Sequence, residues 1–121
     1  MTGDRISLLG LRAFGYHGVL GHERRNGQEF VVDAVLSVDT RAAEAADDLT
    51  LTADYSAIAA RIKDVVSGEP VALIETLAGR VAEVCLADQA VIEVEITVHK
   101  PQAPLSQPFG DVTVTIRRSR G

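Results

Sequence analysis

Between Phe30 and Val38 every second residue is apolar: Phe30, Val32, Ala34, Leu36 and Val38. Successive side chains of an extended chain point to opposite faces, so this period of two describes a strand with one wholly apolar side. The other side is half apolar as well, because Val31 and Val35 stand beside Asp33 and Ser37. A strand that is apolar on both sides needs cover on both sides. Any fold assigned to the chain has to supply that cover.

The segment VIEVEITVHK alternates in the same way, with Ile92, Val94, Ile96 and Val98 opposite Glu93, Glu95, Thr97 and His99. RISLLGLRAF, from Arg5, is a short apolar run that meets the glycine-rich GYHGVLG, a strand followed by a loop. From Thr52 the period changes. Tyr55, Ile58, Ile62, Val65 and Val66 follow helical spacing, with Asp54 placed to cap and Ser67-Gly68 to stop the helix. A second helical pattern runs through Ile74, Leu77, Ala78, Val81 and Cys85. Gly79 inside it costs about 1 kcal/mol relative to Ala, so close packing is expected there. Strands near 91–100 and 111–118 complete a ββααββ order, an α+β antiparallel sheet with two helices on one face. Two helices cover one side of four strands. Only 4% of residues are aromatic, so few large side chains remain to cover the other, and self-association is the economical cover. With no internal repeat, linker or low-complexity tract, residues 1–121 are expected to form a single domain.

Composition narrows the classes of partner. Twelve Lys+Arg against 17 Asp+Glu leave a formal charge of −5, which argues against nucleic acid and anionic membrane, since both need a basic footprint. The one cysteine, Cys85, cannot form an internal disulfide and lies among Val81, Val84 and Leu86 as a small core hydrophobe. The first residues hold Asp4, Arg5 and Arg12 with no signal-like apolar run, and nothing reaches the roughly 20 apolar residues of a membrane span. A soluble, cytoplasmic protein is expected.

The residues that carry chemistry are few. There is no Walker loop, dinucleotide fingerprint or cysteine pair, and His17, His22 and His99 lack the spacings of adjacent ligands, so no metal is expected. Lys100 takes the next core-facing slot after Val98. A strand-end lysine commonly snorkels, stem on apolar surface and amine in water. The functional alternative is an amine in a partly desolvated pocket, suited to proton transfer. Glu75, in the first turn of the second helix, is favoured there by free amides and the helix dipole, and suits a planar pair of N–H donors. Glu23 adjoins Arg24 and Arg25, where a solvated salt bridge is the default. Tyr55 opens the first helix on its apolar stripe, where packing is the commoner role.

Five blocks in order, GYHGVLGHE, NGQEFVVDAVL, LTADYSAI, LIETLAGRV and HKPQAPLSQPFGDVTVTIRR, resemble the dihydroneopterin aldolases, from about Arg5 to Arg118. The resemblance implies the tunnelling fold: ββααββ subunits whose sheets join in a ring to form an oligomeric barrel. Two tetrameric rings commonly stack as a homo-octamer, with active sites between neighbouring subunits. The implied reaction belongs to folate biosynthesis. 7,8-Dihydroneopterin is cleaved by retro-aldol chemistry to 6-hydroxymethyl-7,8-dihydropterin and glycolaldehyde, and many members also epimerise the substrate to dihydromonapterin.

By resemblance, Glu75 anchors the pterin, with backbone groups near Ala53 and Ile74 completing the edge. Lys100, Tyr55 and Glu23 fall on the catalytic lysine, the tyrosine and the loop glutamate. No cofactor is implied. The dihydropterin carries a C=N bond beside the reacting carbon, so protonating that nitrogen makes the ring the electron sink, and Lys100 is an acid–base group, not a nucleophile. The proton at the 2′-hydroxyl falls to Tyr55 and water, while Glu23 holds hydroxyls or tunes Lys100. Rival readings are a zinc-dependent pterin enzyme of the same fold, mainly an epimerase, and a non-catalytic pterin-binding oligomer.

Overall fold

The computed structural model describes residues 3–120. Strands β1 (Arg5–Gly15), β2 (Gln28–Ser37), β3 (Glu93–His99) and β4 (Thr113–Ser119) form one antiparallel sheet in the order β1-β2-β3-β4. Short α1 (Gly21–Asn26) joins β1 to β2, and α2 (Arg41–Ala46) with a 3-10 turn at Leu49–Leu51 follows β2. The long helices α3 (Tyr55–Ser67) and α4 (Ile74–Leu86) lie between β2 and β3 in sequence. The ββααββ order expected from periodicity is therefore present, with three short helical pieces added. Each of these is too brief to show a periodic face, and α2, RAAEAA, combines alanine propensity with an Asp39 carboxylate that accepts from the Arg41 amide at 3.1 Å, before Asp47 turns left-handed at φ 51°.

The core follows the period-two and period-3.6 patterns closely. Phe30, Val32, Ala34 and Leu36 of β2 and Val94, Ile96 and Val98 of β3 are buried beneath Ile58, Ile62 and Val66 of α3 and Leu77, Val81 and Cys85 of α4. Helix α3 packs on β1, and α4 on β3 and β4. The Asp54 side chain accepts from the Ala57 amide at 3.1 Å, capping α3 where expected, and the helix stops at Ser67. Cys85 is fully buried, and burial pushes its thiol up to about 12, which leaves it inert.

Two expectations change. A Cβ on Gly79 would meet nothing within 4 Å, so no close approach within this chain explains that glycine. The helix-free face of the sheet is also more polar than Val31 and Val35 alone suggested. Those valines are only partly buried and share the face with Asp33, Glu93, Glu95, Thr97, His99, Thr115 and Arg117. The Thr97 and Thr115 hydroxyls meet across β3 and β4 at 2.9 Å. Sheet cover is thus missing on a polar face, while unpaired backbone edges remain along β1 and β4.

Candidate active site

Strand β3 brings Lys100 to the site. Its apolar residues Val94, Ile96 and Val98 face the helices, and the alternation continues one residue past the strand, so the Lys100 side chain goes to that same side. The backbone is fixed on both flanks: the Lys100 amide donates to the Val112 carbonyl at 2.8 Å, and the Ala103 amide to the Lys100 carbonyl at 3.1 Å. The side chain does not snorkel. It is 12% exposed, and its Nζ lies 2.6 Å from Oε2 of Glu23, which is 2% exposed.

Glu23 reaches this position from α1. Its flanking arginines do not hold it, because the Arg24 Nε donates instead to the Gly18 carbonyl at 2.9 Å. The expected solvated salt bridge is replaced by a buried one, since α1 turns the glutamate inward and leaves the arginines outside. Oε2 also accepts from Gln28 Nε2 at 3.0 Å, and Oε1 from the Leu20 amide at 3.3 Å. Burial alone would raise the Glu23 carboxyl, but the Lys100 ammonium, with Gln28 and the Leu20 amide, outweighs it and holds the pKa below the ordinary value. Gly18 makes room: with φ at 148° and the carboxylate against it, a Cβ there would collide with Glu23.

Gln28 has no place among the residues read from sequence, yet it braces Glu23 from the first position of β2. The signal was available. Gln28 is in phase with Phe30 and Val32, so period two already turned it inward. Its Oε1 is buried without a hydrogen-bond partner among the described residues, and such orphaned acceptors are few in native proteins.

Lys100 opens on a cleft of about 290 Å³ whose wall includes Val19, Leu73, Ile74, Glu75, Leu105 and Val114. Glu75 and Ile74 form the first turn of α4, whose N-cap Leu73 offers no side-chain cap. The first amides of a helix lack intrahelical acceptors, so the cleft holds N–H donors beside an exposed carboxylate. Its wall is mostly apolar, and it includes the amine of the Lys100–Glu23 pair and the Glu75 carboxylate on a helix N-terminus. It suits a flat heterocycle offering adjacent N–H groups.

Ala53 and Tyr55 are not in this cleft. Ala53 is fully buried, whereas Tyr55 is 53% exposed at the start of α3, where the expectation was packing on the apolar stripe. That stripe begins at Ile58, and Tyr55 lies on the open first turn. Among the described residues, no three His, Cys, Asp or Glu side chains are grouped to hold a metal ion. His17 is spent structurally: its Nε2 donates to the Val66 carbonyl at 2.7 Å and its Nδ1 accepts from the Val71 amide at 3.0 Å.

Fold and site together define a small α+β protein with an acid–base pair beside a heterocycle-sized cleft. Comparison with known proteins assigns it more closely. The family model for dihydroneopterin aldolase matches residues 6–117. A dihydroneopterin aldolase of Streptomyces coelicolor is 57% identical over 117 residues, covering 97% of this chain and 98% of that protein. One from Bacillus subtilis is 37% identical over 118 residues, covering 97% and 98%. The crystal structure of E. coli dihydroneopterin aldolase in complex with neopterin superposes with a TM-score of 0.87 at 31% identity, covering 96% of this chain and 99% of that one. The chain belongs to the dihydroneopterin aldolase family and has its tunnelling fold.

Proposed function

We propose that the protein is a 7,8-dihydroneopterin aldolase of folate biosynthesis, an aldehyde-lyase acting by acid–base catalysis without a Schiff base or metal. The observation that carries this reading is the Lys100–Glu23 pair at 2.6 Å, nearly excluded from water, whose lysine lines the same cleft as Glu75 and Ile74. Glu75 takes the N–H donors of the aminopyrimidinone edge, and the backbone near Ile74 and Ala53 completes it. Lys100 then lies near the ring nitrogen beside the side chain and protonates it. The bond between the first two side-chain carbons breaks, its electron pair passes into the ring, and the 2′-hydroxyl loses its proton as glycolaldehyde forms. Protonation of the enol-like intermediate on carbon gives 6-hydroxymethyl-7,8-dihydropterin. Glu23, 2.6 Å from the amine, holds it in place for this proton traffic. Recapture of glycolaldehyde on the opposite face gives the epimer.

Tyr55 is exposed and does not line its own subunit's cleft, which supports a site completed by a neighbour. In this reading the chain is a single-domain subunit of a ring, tetrameric and stacked as an octamer, and Tyr55 and Ala53 enter the cleft of the next subunit. No helix among the described residues is long and apolar enough to cross a membrane, and the enzyme works in the cytoplasm on a small pterin, with no nucleic acid or membrane partner.

The test is incubation with 7,8-dihydroneopterin in EDTA. Wild type releases glycolaldehyde, and Lys100→Ala loses about 10²- to 10⁴-fold in kcat while keeping part of its substrate affinity. Wild-type protein that releases no glycolaldehyde sinks the reading, and a borohydride-trapped adduct on Lys100 removes the acid–base role.

A further inference from the structure

The residue before Lys100 belongs to a different arrangement. His99 lies on the helix-free face, the side of the sheet opposite the cleft, and both of its ring nitrogens meet carboxylates. Nε2 is 2.7 Å from Oδ2 of Asp33 on β2, and Nδ1 is 2.8 Å from Oδ2 of Asp111, just before β4. Each aspartate uses its other oxygen on backbone: Asp33 Oδ1 accepts from the Gly10 amide at 2.7 Å, and Asp111 Oδ1 from the Val112 amide at 2.8 Å. A polar belt therefore crosses the sheet, from β1 through Asp33 and His99 to the start of β4.

Gly10 can serve the belt because β1 bulges between Leu8 and Leu11, with Gly10 at φ 71°, a conformation that favours glycine. The ring itself has a strict requirement. Neutral imidazole carries one N–H and one lone pair, so it can satisfy one of two flanking carboxylates and must repel the other. Only the imidazolium donates to both. The remaining neighbours of His99 in the sheet are Val31 on β2 and Thr113 on β4, neither of them charged.

The belt closes the base of the loop that borders the cleft. His99 ties to Asp111, and one residue further on each side the Lys100 amide ties to the Val112 carbonyl. The enclosed segment carries Leu105 of the cleft wall. We infer that His99, held as an imidazolium between Asp33 and Asp111, is a positioning residue that fixes Lys100 and the base of this loop from the far face of the sheet. The inference rests on the acid–base reading of Lys100 given above for its effect on turnover, but not for the clamp itself. Asp33, and then Asp111, hold the His99 ring above its ordinary pKa against the opposing effect of burial. While both aspartates are ionised, the clamp is consequently complete below the ordinary imidazole value and is lost as pH rises through the raised one.

The test combines NMR of the His99 ring, hydrogen exchange of the Lys100 amide, and pH profiles of kcat and KM for wild type, His99→Gln and Asp111→Asn. The ring midpoint is expected above about 6.5, the unperturbed value. Exchange at the Lys100 amide, corrected for base catalysis, rises about tenfold above that midpoint and is already fast at every pH in both variants. Both variants lose about tenfold in kcat with KM within about twofold, and the alkaline fall of wild-type kcat at the ring midpoint is absent from them. A ring midpoint at or below about 6.5, or variants with wild-type Lys100 exchange and wild-type kcat, overturns the inference. Should a variant fail to fold, the wild-type ring titration and Lys100 exchange still decide. Wild type with the expected titration and exchange but no glycolaldehyde release overturns the aldolase reading and leaves the clamp standing.

Discussion

Lys100 and Glu23 form the most consequential pair in the molecule. Because burial raises the Glu23 carboxyl and the ammonium lowers it, Lys100→Met should raise the Glu23 pKa, seen by carboxyl-carbon NMR; an unmoved pKa would show that Gln28 and the Leu20 amide suffice. The sign for stability follows. A depressed folded pKa contributes stability that is present above the unfolded value and is lost as pH falls through the folded one. Wild type should therefore lose thermal stability on acidification below about pH 4.5 more steeply than Lys100→Met does. Glu75→Ala should weaken pterin binding by about 1.5–3 kcal/mol, measured by calorimetry, with unchanged affinity removing its anchoring role. Of these residues, Lys100 was legible from counting, since period two survives one step past Val98. Glu23 was not legible from its local surroundings, where two arginines name the wrong partner; the family resemblance joined it to Lys100, far along the chain. Gln28 was legible by phase but lies where a polar residue reads as the edge of a loop.

At the scale of elements, α3 and α4 were plain in the sequence because a long apolar stripe repeats itself. The pieces α1 and α2 were not, having too few turns to repeat anything. Specific polar contacts fix the segments around them, and the buried His17 is one: it ties the segment after β1 to the end of α3 and to Val71 in the α3–α4 connection. Burial holds its pKa below the ordinary range, with Arg24, Arg80 and Lys100 adding to the effect and the Val66 carbonyl opposing it. His17→Phe keeps the ring shape but strands a buried carbonyl and a buried amide, and should cost about 2–4 kcal/mol in urea unfolding; a loss under about 1 kcal/mol would show that the junction holds itself. Gly79→Ala is the opposite case. With open space at its Cβ it should gain about 0.5–1 kcal/mol of helix stability in the same measurement, and a loss would place a neighbouring surface against α4.

For the whole molecule, the sheet has two unpaired edges, and the exposed apolar side chains include Leu9, Val19 and Leu49, each at 61% or more. The sequence led to self-association through Val31 and Val35, yet the edges and these surface residues argue for it better than the sheet face does. A site completed between subunits makes a sharp prediction. Lys100→Ala and Tyr55→Phe proteins, each nearly inactive, should recover about one quarter of wild-type turnover after co-refolding in equal amounts, because one cleft in four then unites both native groups. No recovery would place Tyr55 in its own subunit's cleft or outside the chemistry. Finally, His99 and Lys100 are consecutive yet serve opposite faces of one sheet. Inserting a single residue between Glu93 and Val98 would exchange the faces they serve, turning the imidazole to the side of the cleft and the amine to the helix-free face. Neither side chain would change in chemistry, and the cleft would lose its amine to a change in parity alone.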